Sequence, residues 1–432
     1  MKFAYISLLL TATAALVANF LHSSTQIGAA LITVPDDYPT IQAAINAANS
    51  NDTILVRPGT YHESLLLDKA VTLTAESYDT ANPTQNTTII DGGGAAAVIA
   101  IPSDVSPRPT IRGFIIQNSE DGIQPRSEFI VEYCYFIDTA DHIDYEAGSG
   151  GITRYNIFFE ARDDALDLDN QISPLLIEHN RLLYSRQDGI EIRLQDFSAP
   201  PQLIDITIRH NQIIGSGQDG IQFIDYPGDP QDTNRRFHIH NNLFANNEMV
   251  GIGLMPDEQT IEDYSGADII EDIWVYNNTF YGNNYALSGG DNLVAFNNII
   301  AASATVGAFR VQGALGDNSV VAETLFFNNG THDIESLLGI GNFFDQDPLF
   351  VALPTPGPDG QFGTLDDDFS GLVLQANSPA IDAGITQLVA ADGALIPPTP
   401  ITNFDGLAPD LGWKEYISSL PTSKMFLPSI QR

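Results

Sequence analysis

An apolar strand ending in asparagine recurs through the middle of the chain, and this recurrence restricts the fold more than any other feature. The segments close at Asn156, Asn180, Asn211, Asn242, Asn278, Asn298 and Asn329, at intervals of 24, 31, 31, 36, 20 and 31 residues. Cys134 falls in the same phase, 22 residues before Asn156, and so reads as a buried structural residue. A second marker runs between these strands: DGIQ at Asp121, DHID at Asp141, DALD at Asp164, DGIE at Asp188, DGIQ at Asp219, and a degenerate VGIG at Val250. Each marker leads into a short alternating strand such as Ile190-Glu191-Ile192.

Intervals of 20 to 24 residues fit one turn of a solenoid of short parallel strands, each pairing with the coil above and below. The irregular longer intervals argue against a propeller, whose blades are longer and more uniform, and against a sandwich. Asparagine tolerates the left-handed backbone region and marks tight bends. Stacked in successive coils, its amides can bond one another and the turn backbone. Asp121, Asp188 and Asp219, each followed by Gly, read as turn formers. His179 and His210, which precede the asparagines in phase, read as turn or core residues.

A solenoid needs caps, because its end coils expose core and strand edges. Pro39 to Ala48 reads as a short capping helix with Ile41, Ala44, Ile45 and Ala48 on one face and Pro39 in its first turn. Strands follow at Thr53 to Val56 and Val71 to Ala75, around the turn Arg57-Pro58-Gly59-Thr60-Tyr61. Residues 32–77 (ITVPDDYPTIQAAINAANSNDTILVRPGTYHESLLLDKAVTLTAES) resemble the opening of pectin-lyase-like β-helix proteins, pectin methylesterases among them. The markers at 119–303 look like repeats of the same superfamily. Residues 345–416, with DQDPLF, NSPAIDAG and FDGLAPDLGWKEY, are similar to the closing segment of secreted bacterial β-helix proteins. The resemblance implies an all-β fold: a right-handed parallel β-helix with an N-terminal capping helix and a C-terminal capping segment on the last coil.

Lys2, the apolar run Phe3 to Val17 and the small residues Gly28, Ala29 and Ala30 read as a secretory signal. The expected division is a signal peptide over 1–30, the β-helix over 31–335, the C-terminal cap over 336–416 and a tail over 417–432. The product is expected to be secreted or held at the cell surface, monomeric, and without a membrane span after signal cleavage. With 55 acidic and 18 basic residues the formal net charge is −37. Such a surface repels nucleic acid and anionic lipid and attracts cations. A single cysteine leaves no intramolecular disulfide, so stability rests on the core.

Aligning the markers on their first Asp gives a second column three positions on: Gln124, Asp144, Asp167, Glu191 and Gln222. Alternation turns Ile143, Leu166 and Ile190 inward and this column outward. Arg126, Glu146, Asp169 and Arg193 lie two positions further and face the same way. Stacked coils sit about 4.8 Å apart. At that spacing two full charges repel by about 0.8 kcal/mol in water and about 3 kcal/mol at an effective dielectric of about 20. A bound cation, a raised pKa or the two arginines must offset this. Calcium suits an all-oxygen site, with Asp144, Glu146, Asp163, Asp164, Asp167, Asp169 and Glu191 as candidate ligands. PGPDGQFGTLDDDF, 356–369, reads either as a further calcium loop through Asp359, Asp366 and Asp368 or as a solvated acidic turn.

The longer coils carry their insertions after the marked strand, at 195–205, 225–236 and 255–272, which would wall a groove suited to an extracellular polysaccharide. Arg126, Tyr145, Phe197 and Tyr226 are candidates to line it. In a lyase, calcium neutralises the carboxylate of an acidic sugar while a base removes the neighbouring proton. The catalytic candidates are Asp144, Asp167, Glu191, Arg193 and His142, with Arg193, Arg126 or His142 as base. A hydrolase would use two carboxylates instead. TADHID and RDDALDLD resemble the aspartate motifs of polygalacturonase-type hydrolases at Asp141, Asp163 and Asp164. The chain departs from that family at Asp188-Gly189, where the family has His-Gly, and in lacking its Arg-Ile-Lys motif. The reading is therefore a calcium-assisted lyase of acidic polysaccharide. The alternatives are a non-catalytic carbohydrate-binding or cell-surface structural protein, and a glycoside hydrolase.

Overall fold

The computed structural model describes residues 29–417, apart from 170–172, 196–199, 226–232, 256–263, 265–268, 290–291, 304–305, 311–318, 334–338 and 391–392. The expected tail, nearly all of the expected leader, and Phe197 and Tyr226 lie outside the described residues.

Three parallel sheets run the length of a β-helix. The first has twelve strands, from Leu31–Val34 to Val320–Ala322, each paired with the strand one coil on. The second includes Tyr135–Thr139, Ile157–Phe159, Arg181–Leu183, Gln212–Ile214, Leu243–Ala245, Thr279–Tyr281, Ile299–Ala301 and Leu325–Phe327. The third carries the marker strands Ile143–Tyr145, Leu166–Leu168, Ile190–Arg193, Ile221–Ile224, Val250–Met255 and Tyr285–Ser288. Parallel crossovers of this kind wind right-handed.

Alternation fills the core from all three sheets. In the second sheet Phe136 stacks on Phe158 at 4.8 Å, and Phe244 on Phe280 at 4.9 Å. In the third, Ile143, Leu166, Ile190, Ile221 and Ile252 stack in register and are fully buried.

The corner between the first and second sheets holds a ladder of buried amides. Asn180 Oδ1 accepts the backbone N–H of Asn156 at 3.0 Å, and Asn211, Asn242, Asn278 and Asn298 repeat the contact one coil on each time. Each Nδ2 also donates to a backbone carbonyl of the preceding coil, as Asn211 does to Ile177 at 2.9 Å. Cys134 occupies a rung, its N–H donating to Asn156 Oδ1 at 2.9 Å. Two details differ from the expectation. The left-handed backbone belongs to the residue before each ladder asparagine: Tyr155, His179, His210, Asn241, Asn277 and Asn297 have φ of 53 to 57°. Asn329 belongs to another ladder, with Asn247 and Asn283 at the next corner, because Ile299 pairs with Leu325 and so sets Thr324 opposite Asn298.

The capping helix spans Ile41–Ala47, with Ile41, Ala44 and Ile45 buried. Its N-cap is Thr40, whose side chain accepts from Ala43 N–H, which leaves Pro39 outside the first turn. At the other end Phe343–Phe344 pairs with Leu325–Phe326. The chain then runs back along the flank of the solenoid. Phe369, Leu372 and Trp413 cover Tyr135, Ile157, Phe159, Leu183, Ile214 and Leu243, and Leu374, Ala380 and Leu411 cover Ile299, Ala301 and Leu325. Most outward residues of the second sheet are apolar and need that cover, so the closing segment clothes a face as well as the last coils. Asn211→Ala removes two donors' acceptor and an amide donor from a dry corner. It should lower unfolding free energy by roughly 2–4 kcal/mol, as measured by urea denaturation.

Candidate functional site

The register sets the acids of the third sheet directly above one another. Asp144 pairs with Asp167, Asp167 with Glu191, and Glu191 with Gln222. Glutamines bracket the column: below, Gln124 Nε2 donates to Asp144 Oδ2 at 3.0 Å. Above, the column passes from Gln222 to Gly253. Tyr264, from the insertion before Ile269, donates its hydroxyl to Asp219 Oδ1 at 2.7 Å and lies over Gly253, where a Cβ would come within 2.5 Å of the ring. This forms a wall at one end. The rest of the three insertions lies largely outside the described residues.

The flanking column reads Arg126, Glu146, Asp169, Arg193. Arg126 pairs with Glu146. Arg193 Nε sits 2.5 Å from Glu191 and 3.2 Å from Asp169. Two arginines thus face six acids: Asp144, Glu146, Asp163, Asp167, Asp169 and Glu191. Burial raises the carboxyls of Asp144, Asp163, Asp167 and Glu191 above the ordinary range; Glu191 adds to the rise at Asp167, while Gln124 opposes it at Asp144 and Arg193 opposes it at Asp163 and Glu191.

The first sheet solves the same stacking problem in the opposite way. Its outward column alternates Arg112, Glu132, Arg154, Glu178 and Arg209 in register, and Glu132 takes both Arg112 and Arg154. Alternation neutralises that face within the chain. In the carboxylate column only Glu191 has such a partner among the described residues, Arg193.

Oxygens of Asp144, Asp167 and Asp169 lie within 4.8 Å of one another. Oδ1 of Asp163 and of Asp167 is buried with no hydrogen-bond partner among the described residues. A convergent, oxygen-only set with an orphaned carboxylate oxygen fits calcium. Asp164, Asp188 and Glu191 also converge, but each is already engaged. Asp164 Oδ1 accepts Asp188 N–H at 2.6 Å, Asp188 Oδ1 accepts Asp219 N–H at 2.7 Å, and Glu191 holds Arg193. With Asp141, which accepts Asp164 N–H at 3.1 Å, and Asp219, which accepts Val250 N–H at 3.0 Å, they form an aspartate ladder parallel to the asparagine one.

Several expected roles do not survive. His142 is fully buried, lies beside the stacked rings of Phe136 and Phe158 at 5.9 Å from each and contacts Thr139 Oγ1 at 2.7 Å. Burial pushes its imidazole down to about 3, so it reaches no ligand. Tyr145 shares the inward parity of Ile143. It is fully buried against Phe129 and bonded to Thr153, so it does not line a groove. Arg193 is held cationic by Glu191, Asp167 and Asp169, which removes it as a base, and Arg126 is committed to Glu146. Glu146 and Glu191 are likewise engaged by arginine, and Asp164 by the ladder. In the 356–369 loop, Asp359 and Asp366 accept from Thr364 Oγ1 and Asp368 from Ser370 N–H, the pattern of a self-bonded turn.

Sequence reading passed over Asp121 as a chemical group. It stands outside the ladder, and among the described residues its Oδ2 takes only Gln124 Nε2, at 3.2 Å. Burial, reinforced by Asp144, pushes its carboxyl up to about 7. The DGIQ marker placed it beside the column, but only the geometry separates it from the turn aspartates.

The chain matches the family model described as "Right handed beta helix region" over residues 76–237. No curated protein matches. Among solved structures it is similar to pectate lyase Pel9A (14% identity, 87% of this chain and 90% of that one, TM-score 0.55). It also resembles the catalytic unit of a thermostable α-1,3-glucanase from Streptomyces thermodiastaticus (15% identity, 74% and 70%, TM-score 0.46). A third neighbour is the A-module of the Azotobacter vinelandii mannuronan C-5 epimerase AlgE6 (14% identity, 71% and 94%, TM-score 0.42). Among the described residues no helix is long and apolar enough to cross a membrane.

Carboxyls raised in the fold bind more protons folded than unfolded between their ordinary value near 4 and their raised one. Stability contributed by their protonated form is therefore lost as pH rises from about 4 through about 7, the value reached by Asp121 and Asp141. In EDTA the Tm should fall across that window, and calcium should restore it. Asp188→Asn keeps the ladder acceptor without the charge and should raise the pH 8 Tm in EDTA by on the order of 2–4 °C. A lowered Tm would show that its charge is stabilising.

Proposed function

We propose that this pectin-lyase-like right-handed parallel β-helix protein is an exported, calcium-assisted lyase of acidic polysaccharide. The observation that carries the reading is the stacked column of Asp144, Asp167 and Glu191, with Asp169 beside it, in which Asp144 and Asp167 have no ion pair among the described residues while Arg193 takes Glu191 and Asp169. The leader-like Lys2 and Phe3 to Val17 support export. The pectate lyase fold likeness supports the substrate class.

Asp144, Asp167 and Asp169 would hold the ion, with Asp163 at its margin. When bound, calcium neutralises the sugar carboxylate and makes the proton beside it more acidic. The chain's own residues set the rest. Arg193 fixes Glu191 and Asp169, and Arg126 fixes Glu146, so that the acid face keeps its shape when a polyanion approaches. Elimination needs an acceptor for the proton α to the sugar carboxylate as the glycosidic C–O bond breaks. Asp121 has the character this requires, a carboxyl poised near neutral pH. Gln124 bonds both Asp121 and Asp144, tying the acceptor to the ion-holding column.

Incubation with a panel of uronate polymers and calcium should generate unsaturated products that absorb in the ultraviolet. Asp167→Asn should abolish the signal. Asp121→Asn should lower kcat by roughly 10²–10⁴ at unchanged KM and remove the ascending limb of the pH profile near 7. Silence across the panel with calcium present rejects the lyase and favours a binding protein. Full kcat in Asp121→Asn rejects Asp121 as the acceptor.

A further inference from the structure

The outer face of the first sheet carries a groove that the proposed chemistry does not use. Two adjoining cavities, of about 450 and 630 Å³, share Asp205 and Arg209. Ile152, Leu176, Thr207 and His238 stack in successive coils along this face. The groove therefore runs parallel to the solenoid axis, over three coil spacings of about 4.8 Å each. At its upper end it passes under Pro397–Asn403 and the Trp413-Lys414 turn of the returning segment.

The chain has only 18 lysines and arginines against 55 acids, yet Arg108, Arg209, Arg236 and Lys414 all line this one groove. The acids that line it are Glu128, Asp205 and Glu415. Arg108 pairs with Glu128 at 2.9 Å, Arg209 with Glu178 at 2.7 Å, and Arg236 with Asp205 at 2.7 Å. Lys414 has no carboxylate partner among the described residues: its ammonium lies 4.0 Å from the centre of the Trp413 ring. Glu415 turns away to the backbone of Asp410. Over the rest of a surface of charge −37 a polyanion is repelled.

We propose that this groove binds a segment of acidic polysaccharide away from the carboxylate column, its carboxylates against Arg209, Arg236 and Lys414 and its sugar faces against Ile152, Leu176 and Pro398. The ligand class rests on the proposed function, while the site does not need the column to work. Such a groove holds the polymer to the protein by a face that needs no calcium.

The test uses the full chain carrying Asp167→Asn, in EDTA, titrated calorimetrically with hexamers of galacturonate and of mannuronate. Cellohexaose and hexa-aspartate serve as the neutral and peptide controls. At least one uronate hexamer should bind. Adding Arg236→Gln and Lys414→Gln should weaken it roughly tenfold or more with an unchanged circular dichroism spectrum, and salt above the range where exposed charges are screened should weaken it likewise. Absence of uronate binding overturns the proposal, as does indifference to the paired substitutions and to salt, or equal binding of either control. Binding here together with silence in the cleavage assay rejects the lyase and keeps the groove. Cleavage by the unsubstituted chain without binding here does the reverse.

Discussion

Hydrogen bonding from each coil to the next sets everything else in this molecule. The coils differ in length by up to 16 residues between ladder positions (Asn278 to Asn298, Asn242 to Asn278), yet the strands on either side of these coils meet in continuous register. Insertions are absorbed beyond the strand ends, and the ladder asparagines return the chain to the same phase at each corner. The consequence is a fold that stacks like upon like. For phenylalanine rings and asparagine amides this is favourable, because ring faces attract and an amide is both donor and acceptor. For carboxylates it is not, and a solenoid has no freedom to slide an acid out of register without turning its whole strand inside out.

The two charged faces show that the column is not a by-product of acidity. On the first sheet the residues at equivalent heights alternate in sign, and Glu132 and Glu178 are each nearly fully buried between arginines. The same chain, with few cations to distribute, spends them there and along the groove, and places two beside the third sheet's acids. Those two brace the edges, at Glu146 and at Glu191 with Asp169. The centre at Asp144 and Asp167 is left to glutamine and to whatever cation the solution supplies.

Much of this was legible beforehand because the solenoid converts spacing into height. Asn156 to Asn298 marked one corner, and the three-residue offset from the marker aspartates gave the pairing of Asp144, Asp167 and Glu191 without any coordinates. Parity decided inside from outside, and it was sound wherever it was followed: Tyr145 has the parity of Ile143 and is buried with it. His142 escaped parity because it sits where the corner meets the strand, and two consecutive residues there, His142 and Ile143, both face inward. The state of Arg193 depended on Glu191 in its own strand and on Asp167 and Asp169 one coil away. The path of residues 345–416 had no repeat to carry it. The one available signal was that Tyr135, Ile157, Phe159 and Leu183 are apolar at outward positions and so require a cover.

The two ladders sharpen the meaning of the site. Asn180 and Asp188 perform the same mechanical task, each offering Oδ1 to a backbone N–H of an adjacent coil, Asn180 to the coil before it and Asp188 to the coil after it. An asparagine at position 188 would serve equally and carry no charge, so the hydrogen bond does not account for aspartate there. Buried carboxyls oppose folding at neutral pH, and the corner uses them only at Asp141, Asp164, Asp188 and Asp219. Their span coincides with the acids of the outer column at Asp144, Asp167 and Glu191. Higher in the solenoid Asn247 and Asn283 serve a neighbouring corner with neutral amides. Once these carboxyls ionise, negative potential is concentrated behind one patch of one face, in a setting where low dielectric strengthens it. A cation at the outer column is attracted by the acids it touches and also by the row behind them. With the proposed ion in place, this would give the ladder aspartates a part in ion affinity that their hydrogen bonds alone do not require.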